Sequence, residues 1–386
     1  MAPRPKCFQG TYSEGVKITG AALFPVRIPR LTPLALAYAT RTACRAVYVR
    51  LDTDARVAGW GEAVPVREVT GERYGDVVHA LSRIAPALVG ADPLDTEVHR
   101  PLLDRDLATL PSARCALDTA LQDLKGRALG LPAARLLGGA RPTIPACVTL
   151  GLGTLEETVA TARARVTEGF TTIKLKVAAE PAVESARIQA VRAAVGPAVE
   201  LLLDANQAYD VPRALALADA AARSGVALFE QPVPADDLGA LGEVARRSPV
   251  PVCADEAVTT PLSLLRLFGM PGLRMVNVKL QKCGGPSAAA WMIRTAEAAG
   301  VSVMVGCMIE TRLGITAGLA VALGLANVAR VDLDGAMDLT ADPVIRGGVV
   351  MRDGRQSLPD RPGLGCDVDE VVLAAHRDDD PVGDPA

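Results

Sequence analysis

Residues 171–177 read TTIKLKV, and this short stretch decides the fold. It is strand-like and the right length for one strand, and Lys174 and Lys176 interrupt it near its end. Residues two apart on a strand face the same side, so the two ammonium groups share a face. A charge that ends an apolar strand points into the mouth of a barrel, where such folds carry their chemistry. The pattern recurs downstream. VELLLDAN (199–206) carries Asp204, VALFEQP (226–232) carries Glu230 and PVCADEA (251–257) carries Asp255. RMVNVKLQK (274–282) carries Lys279, and ARVDLDG (329–335) carries Asp332 and Asp334. With ACVTLG (146–151) and VSVMVGCMIE (301–310) the runs number eight, separated by Ala-rich helical stretches. Lys174 to Asp204 is 30 residues, Asp204 to Glu230 is 26, Glu230 to Asp255 is 25 and Asp255 to Lys279 is 24. Such steps suit one strand plus one helix. The reading is α/β, a (β/α)₈ barrel of modified TIM type. A doubly wound open sheet is the alternative, but no GxGxxG follows an early strand.

Outside this rhythm the pattern changes. Residues 16–29 and 46–52 alternate as strands do, and Gly59-Trp60-Gly61-Glu62-Ala63 reads as a strand end. A loop at 69–72 precedes helical stretches at 74–88 and 111–130. The expected division is an α+β capping domain at 1–140, a barrel at 141–343, and a segment at 344–386 that returns to the capping domain. Residues 376–386 hold Asp378-Asp379-Asp380, Pro and Gly, which predicts a frayed end.

Composition sets the limits. Of 386 residues, 49% are hydrophobic and 22% charged, which excludes a largely disordered chain. The net charge of −3, from 41 basic and 44 acidic residues, gives no pull toward nucleic acid or an anionic membrane. Aromatics at 3% argue against a stacking platform for single strands. Apolar runs fall far below the ~18 residues of a membrane span, and the N-terminus lacks the apolar core of a secretory signal. Eight cysteines are scattered without a CxxC pair, which reads as reduced thiols in a cytoplasmic protein rather than disulfides or zinc. Of three histidines, His79, His99 and His376, none falls in the barrel.

Asp204, Glu230 and Asp255 end three successive strand runs. Alone, each reads equally as a helix cap or a surface charge. Three carboxylates converging in a partly dry mouth repel, and a divalent cation removes that cost. An all-oxygen set favours Mg²⁺ over zinc or copper. Lys174, Lys176 and Lys279 flank this set from two sides. A lysine near other cations has its pKa lowered and serves as a base near neutrality. Salt bridges to the same carboxylates are the competing reading, strongest for Lys174. Lys282 is a rival to Lys279, placed by Gly284-Gly285 in a turn or the next helix cap.

Taken together, Lys174-Leu175-Lys176, Asp204-Ala205-Asn206, Glu230-Gln231-Pro232, Asp255-Glu256 and Asn277-Val278-Lys279 resemble the enolase superfamily. The likeness is to its muconate-lactonizing subgroup, and most of all to the dipeptide epimerases. A superfamily base is a Lys or a His acting beside Mg²⁺; with no histidine in the barrel, the resemblance implies the Lys/Lys form. It implies one Mg²⁺ on Asp204, Glu230 and Asp255 and a substrate carboxylate on that ion. Lys176 and Lys279 then exchange the α-proton on opposite faces through a metal-stabilised enediolate, with Lys174 assisting. Asp332-Leu333-Asp334 is similar to the DxD pair that binds a dipeptide α-ammonium. One acid capping a helix and the other in a salt bridge is the alternative. By the same resemblance Cys307 and Ile309 touch substrate through backbone groups, Thr149 sits beside the dipeptide, Glu310 is structural, and 69–72 matches a mobile loop. Epimerases acting on Ala-Glu place a basic residue in the first capping loop. Here the position falls near Ala39 in uncharged residues 34–40, with Arg41 close but displaced, which implies an apolar or small side chain at the epimerised residue. The implied partners are a small-molecule substrate and further copies of the chain in a homo-oligomer. The alternatives with the same site are an N-acylamino-acid racemase, an o-succinylbenzoate synthase and an epimerase or dehydratase of proline-like acids. A barrel that binds a ligand without turnover is the reading of another class.

Overall fold

The computed structural model describes residues 15–380. Cys7 and the last residues of the tail, 381–386, lie outside the described residues.

Three antiparallel strands open the chain: β1 (Ile18–Ala35), β2 (Thr40–Thr53) and β3 (Ala58–Ala63), in the order β1-β2-β3. β1 is an edge strand, which is where Pro25, Pro29 and Pro33 can sit without breaking a ladder. Its register slips between Pro29 and Leu34 and then resumes, pairing Leu34 with Arg41 and Ala35 with Thr40. The uncharged stretch at 34–40 is therefore the tip of a long hairpin. β2 is buried on both faces. Val47, Val49 and Leu51 join the capping-domain core with Leu117, Leu121 and Leu124, while Ala46 and Tyr48 join the core shared with the barrel. Helix Pro111–Leu129 lies hard against β3. A Cβ on Gly61 would stand 1.8 Å from the Ala116 carbonyl oxygen, so only glycine permits this approach.

After β4 (Thr143–Pro145) the barrel begins. Its strands are β5 (Cys147–Leu150), β6 (Thr172–Lys176), β7 (Glu200–Asp204) and β8 (Val226–Glu230). Then follow β9 (Val252–Ala254), β10 (Leu273–Lys279), β11 (Ser302–Gly306) and β12 (Val328–Asp332). Each falls on one of the eight runs read from the sequence, with β10 and β12 starting one residue earlier, and neighbours pair in parallel in chain order. Alternation along the strands sorts the residues. Cys147, Leu202, Leu228, Cys253, Met275 and Met304 fill the interior as one small cluster, while Ile173, Leu201, Leu203, Val276, Val278 and Val303 face the helices. No ladder joins β5 to β12 among the described residues; side chains bridge that seam, as described below.

The tail forms β13 (Val344–Arg346), β14 (Val350–Arg352), β15 (Arg355–Ser357) and β16 (Asp367–Val368). β14 and β15 extend β4 into a three-stranded sheet. Helix Glu370–Ala375 then leads to the capping domain, where Arg377 bridges Val26 and Asp378 accepts from Arg45 at 2.7 Å. No helix among the described residues is long and apolar enough to cross a membrane.

Candidate active site

Inward positions on a strand recur every two residues, and here they change from apolar to charged toward one end of the barrel. Leu202 leads to Asp204, Leu228 to Glu230, Cys253 to Asp255, and Met275 to Asn277 and Lys279. One carboxylate oxygen from each of Asp204, Glu230 and Asp255 lies within 4.8 Å of the others, and all three residues are buried.

The chain turns sharply behind two of these carboxylates. Asn206, Gln207 and Gln231 have φ of 40°, 73° and 32°, left-handed backbone that non-glycine residues adopt at a cost. The turn lets Gln231 serve the next strand. Its Oε1 accepts the N–H groups of Asp255 at 2.8 Å and Ala257 at 3.2 Å, and its Nε2 donates to the Val233 carbonyl at 2.9 Å. The Asn206 N–H donates to Asp204 Oδ1 at 2.9 Å and its Nδ2 to Glu256 Oε1 at 3.0 Å. Asn277 Nδ2 donates to Glu230 Oε1 at 2.6 Å. A Cβ on Gly306 would lie 2.6 Å from Asn277 Oδ1, so this glycine leaves room for that amide.

Four lysines meet these acids. Lys176 Nζ lies 2.6 Å from Asp204 Oδ2, and Lys279 Nζ 2.7 Å from Asp255 Oδ2. Lys174 lies 3.2 Å from Asp204 and 3.3 Å from Glu230 and also contacts Asp332. The salt-bridge reading thus describes what Lys174 does here. Lys282 departs from expectation. It is not in an outer turn: the short helix Leu280–Cys283 carries it inward, fully buried, to bond Asp255 Oδ1, the Asp255 carbonyl at 2.5 Å and the Asn277 carbonyl at 3.2 Å.

Burial disfavours ionised Asp204, but Lys176 and Lys174 outweigh it and hold its carboxyl down at about 2. Asp255 is likewise held well below the usual range, against burial, by Lys279 and Lys282. Glu230 moves the other way, up to about 8, through burial and the neighbouring charge of Asp204. Glu256 rises to about 7 through burial and Asp255. Lys174 and Lys279 stand well above their ordinary value: burial disfavours their charge, but Asp332 and Glu230 for the first, and Asp255 and Glu230 for the second, outweigh it. The expected lowering of the lysine pKa values depends on a cation at the triad. Carboxylates, not cations, dominate the field around these ammonium groups. Six carboxyl groups, of Asp204, Glu230, Asp255, Glu256, Asp332 and Asp334, outnumber the four ammonium groups of Lys174, Lys176, Lys279 and Lys282. A divalent cation held by the triad would offset that excess and favour the ionised form of Glu230. The oxygen-only donor set fits such an ion.

Across the barrel, Thr149 joins the two acids of the last strand. Its Oγ1 donates to Asp332 Oδ1 at 3.0 Å and its N–H to Asp334 Oδ2 at 2.6 Å. Burial and Asp332 push Asp334 up to about 6. Cys307 and Ile309 line the same cavity as Lys174, Lys176, Lys279, Thr149, Asp332 and Asp334. Ile309 has φ of 73°, a strained state for a β-branched residue. The loop carrying it is held from two sides. The Glu310 carboxylate accepts the Met308 N–H. From β3, Glu62 accepts the Thr311 N–H and hydroxyl, each at 2.8 Å, and the Gly314 N–H at 2.7 Å.

The capping domain closes the cavity with Leu34, Leu36, Tyr38, Arg41 and Val66. Arg41 does reach the cavity, through its pairing with Leu34 at the hairpin tip. Glu72, at the end of the 69–72 stretch, is anchored on Ser112, accepting its N–H at 2.9 Å and its hydroxyl at 2.7 Å.

Comparison with known proteins matches this arrangement. Residues 18–138 match the mandelate racemase/muconate lactonizing enzyme N-terminal domain, and residues 157–372 the enolase C-terminal domain-like family. The chain belongs to the enolase superfamily. Within the superfamily it is 36% identical to the L-Ala-D/L-Glu epimerase of Bacillus subtilis, over 88% of this chain and 94% of that protein. It is 29% identical to the N-succinyl-L-Arg/Lys racemase of Bacillus cereus, over 93% and 97%. A solved dipeptide epimerase from Enterococcus faecalis, complexed with Mg and L-Leu-L-Tyr, is 32% identical. It superposes with a TM-score of 0.88 over 91% of this chain and 99% of that one.

Proposed function

We propose that this superfamily member is a Mg²⁺-dependent dipeptide epimerase that inverts the α-carbon of the C-terminal residue. The observation that carries the reading is a pair of acidic groups bridged by Lys174, beside the cavity that Lys174, Lys176 and Lys279 line. At one end the Asp204–Glu230–Asp255 triad suits a cation and, through it, a carboxylate. At the other, Thr149 holds Asp332 and Asp334 as a paired carboxylate suited to an α-ammonium. A dipeptide carries both groups at its two ends.

Asp204, Glu230 and Asp255 would hold the ion. When bound, it supplies charge stabilisation to the substrate carboxylate as the adjacent α-proton leaves. Lys176 and Lys279 belong to β6 and β10, four strands apart in a sheet of eight, and so approach the α-carbon from opposite sides. One amine removes the proton and becomes ammonium; the other, already ammonium, returns a proton to the far face. The result is inversion with no net redox change. Lys174, touching both the triad and Asp332, fixes the spacing between the ends. Leu34, Leu36 and Val66 give the substrate side chain an apolar wall, which favours an apolar C-terminal residue. The relative that acts on N-succinyl amino acids supports racemisation of N-acylated substrates as the second reading. Such substrates lack the ammonium that Asp332 and Asp334 suit.

The test is a panel of L-L dipeptides and N-succinyl amino acids, each incubated with protein and Mg²⁺ and resolved by chiral chromatography. Inversion of dipeptides with apolar C-termini is expected. Inversion confined to N-succinyl amino acids contradicts the proposal.

A further inference from the structure

All three arginines that line the cavity are paired to carboxylates. Arg30 and Arg165 share Asp338, at 3.4 Å and 3.3 Å. Arg41 lies 2.5 Å from Glu68. The third pair differs in position. The α-ammonium end of the cavity lies at β12, beside Asp338, whereas Arg41 stands on the hairpin tip with Tyr38. Its charge and that of Lys279 both act on the Tyr38 phenol. Of the three, Arg41 is the one paired away from Asp338, with a partner in the capping domain. Glu68 belongs to the short helix Arg67–Thr70, directly after Val66 of the cavity wall. The pair also joins the two capping segments that cover the cavity. Both partners are part-exposed, at 27% and 36%, so the pair can open without unfolding anything.

We infer that Glu68 sets the charge specificity of the cavity by withholding the Arg41 guanidinium from the substrate. This deepens the dipeptide reading and rests on it. An acidic C-terminal side chain must displace the Glu68 carboxylate before Arg41 can bind it. An apolar side chain needs no such exchange and packs beside Leu34, Leu36 and the stem of Arg41. Glu68 thus acts through another residue and touches no reacting atom.

The test uses full-length protein saturated with Mg²⁺ and calorimetric binding of L-Ala-L-Glu and L-Ala-L-Leu. In Glu68→Gln, binding of L-Ala-L-Glu should tighten about two- to fivefold, the cost of opening a part-exposed ion pair, with L-Ala-L-Leu changed less than about 1.5-fold. In Glu68→Gln/Arg41→Met the gain should vanish. For the turnover of L-Ala-L-Glu, the single variant should lower KM and leave kcat nearly unchanged, a split that loss of a merely structural contact does not produce. An unchanged ratio of the two affinities in Glu68→Gln overturns the inference. So does a gain that survives loss of Arg41. Binding is read apart from turnover. Binding without inversion of either dipeptide therefore counts against the epimerase reading, and leaves the role of Glu68 decided by the affinities.

Discussion

Lys176 and Lys279 differ in what surrounds them, and that difference can be measured. Lys176 leans on Asp204 and Lys279 on Asp255, whose other oxygen is held by Lys282. Two bases that serve opposite faces should be separable by the epimer each one deprotonates. Lys279→Ala and Lys176→Ala should each lower inversion by roughly 10³-fold, the range of a lost general acid–base group. Each should still wash out the α-proton of one epimer only, and of opposite epimers in the two variants. Solvent deuterium uptake into the separate L-L and L-D substrates reads this; equal residual uptake from both epimers in either variant contradicts the assignment. Lys282→Met addresses the lysine whose place the sequence obscured. It leaves a buried Asp255 oxygen and two carbonyls without their donor, and should cost about 3–5 kcal/mol of unfolding free energy. Denaturant titration of the metal-free protein checks it.

Strand ends set the geometry of the triad, so its supports can be tested element by element. Gln231 links the end of β8 to the start of the turn after β9 by accepting two buried N–H groups. Gln231→Ala leaves those donors unpaired and frees the Asp255 backbone. Mg²⁺ affinity should fall roughly tenfold or more, as when other outer supports of metal ligands are removed; unchanged affinity by calorimetry would show the support to be dispensable. Glu230 carries a second prediction. Its carboxyl, pushed up to about 8, is protonated at neutral pH in the metal-free protein, and a ligand to Mg²⁺ must be ionised. Binding near pH 7 should therefore release about one proton, falling toward none above about pH 9, and affinity should rise with pH until then. Calorimetry in buffers of different ionisation enthalpy measures the proton count. At this scale the sequence was most legible. The even rhythm of short apolar runs and Ala-rich helical stretches exposed all eight strands and put Asp204, Glu230, Asp255 and Lys279 at their ends. The supports were hidden. Gln231 and Asn277 appeared inside motifs, but their bonds depend on positive-φ turns and on the gap at Gly306, which no local pattern reveals. Lys282 was misplaced because a glycine pair suggests a turn, whereas one helical turn first swings the residue inward.

The capping domain and the barrel meet at Glu62, which spans β3 and the loop bearing Ile309. A sequence offers no sign of this contact, since the partners lie 249 residues apart. The hairpin tip was hidden for the same reason: β1 and β2 continue past residues 29 and 46 only because they pair with each other. Burial raises the Glu62 carboxyl from 4.5 to about 7, even against its hydrogen bonds to Thr311 and Gly314. The folded state therefore holds this proton more tightly than the unfolded chain. The resulting stability is full below about pH 4.5 and is lost as pH rises toward about 7, a change of about 3 kcal/mol. Wild type should lose stability relative to Glu62→Gln across that window. A difference in unfolding free energy that stays flat from pH 4.5 to 7 would contradict it.

Proton exchange at one carbon between two lysines leaves an isotopic trace in the product. L-Ala-L-Leu is incubated with the protein and Mg²⁺ in deuterium oxide and followed by proton NMR. The leucine α-proton signal should disappear as L-Ala-D-Leu accumulates, with one deuteron gained there and none at the alanine α-carbon. Exchange at the alanine carbon, or no exchange in the Mg²⁺-loaded protein for any dipeptide with an apolar C-terminus, would contradict it.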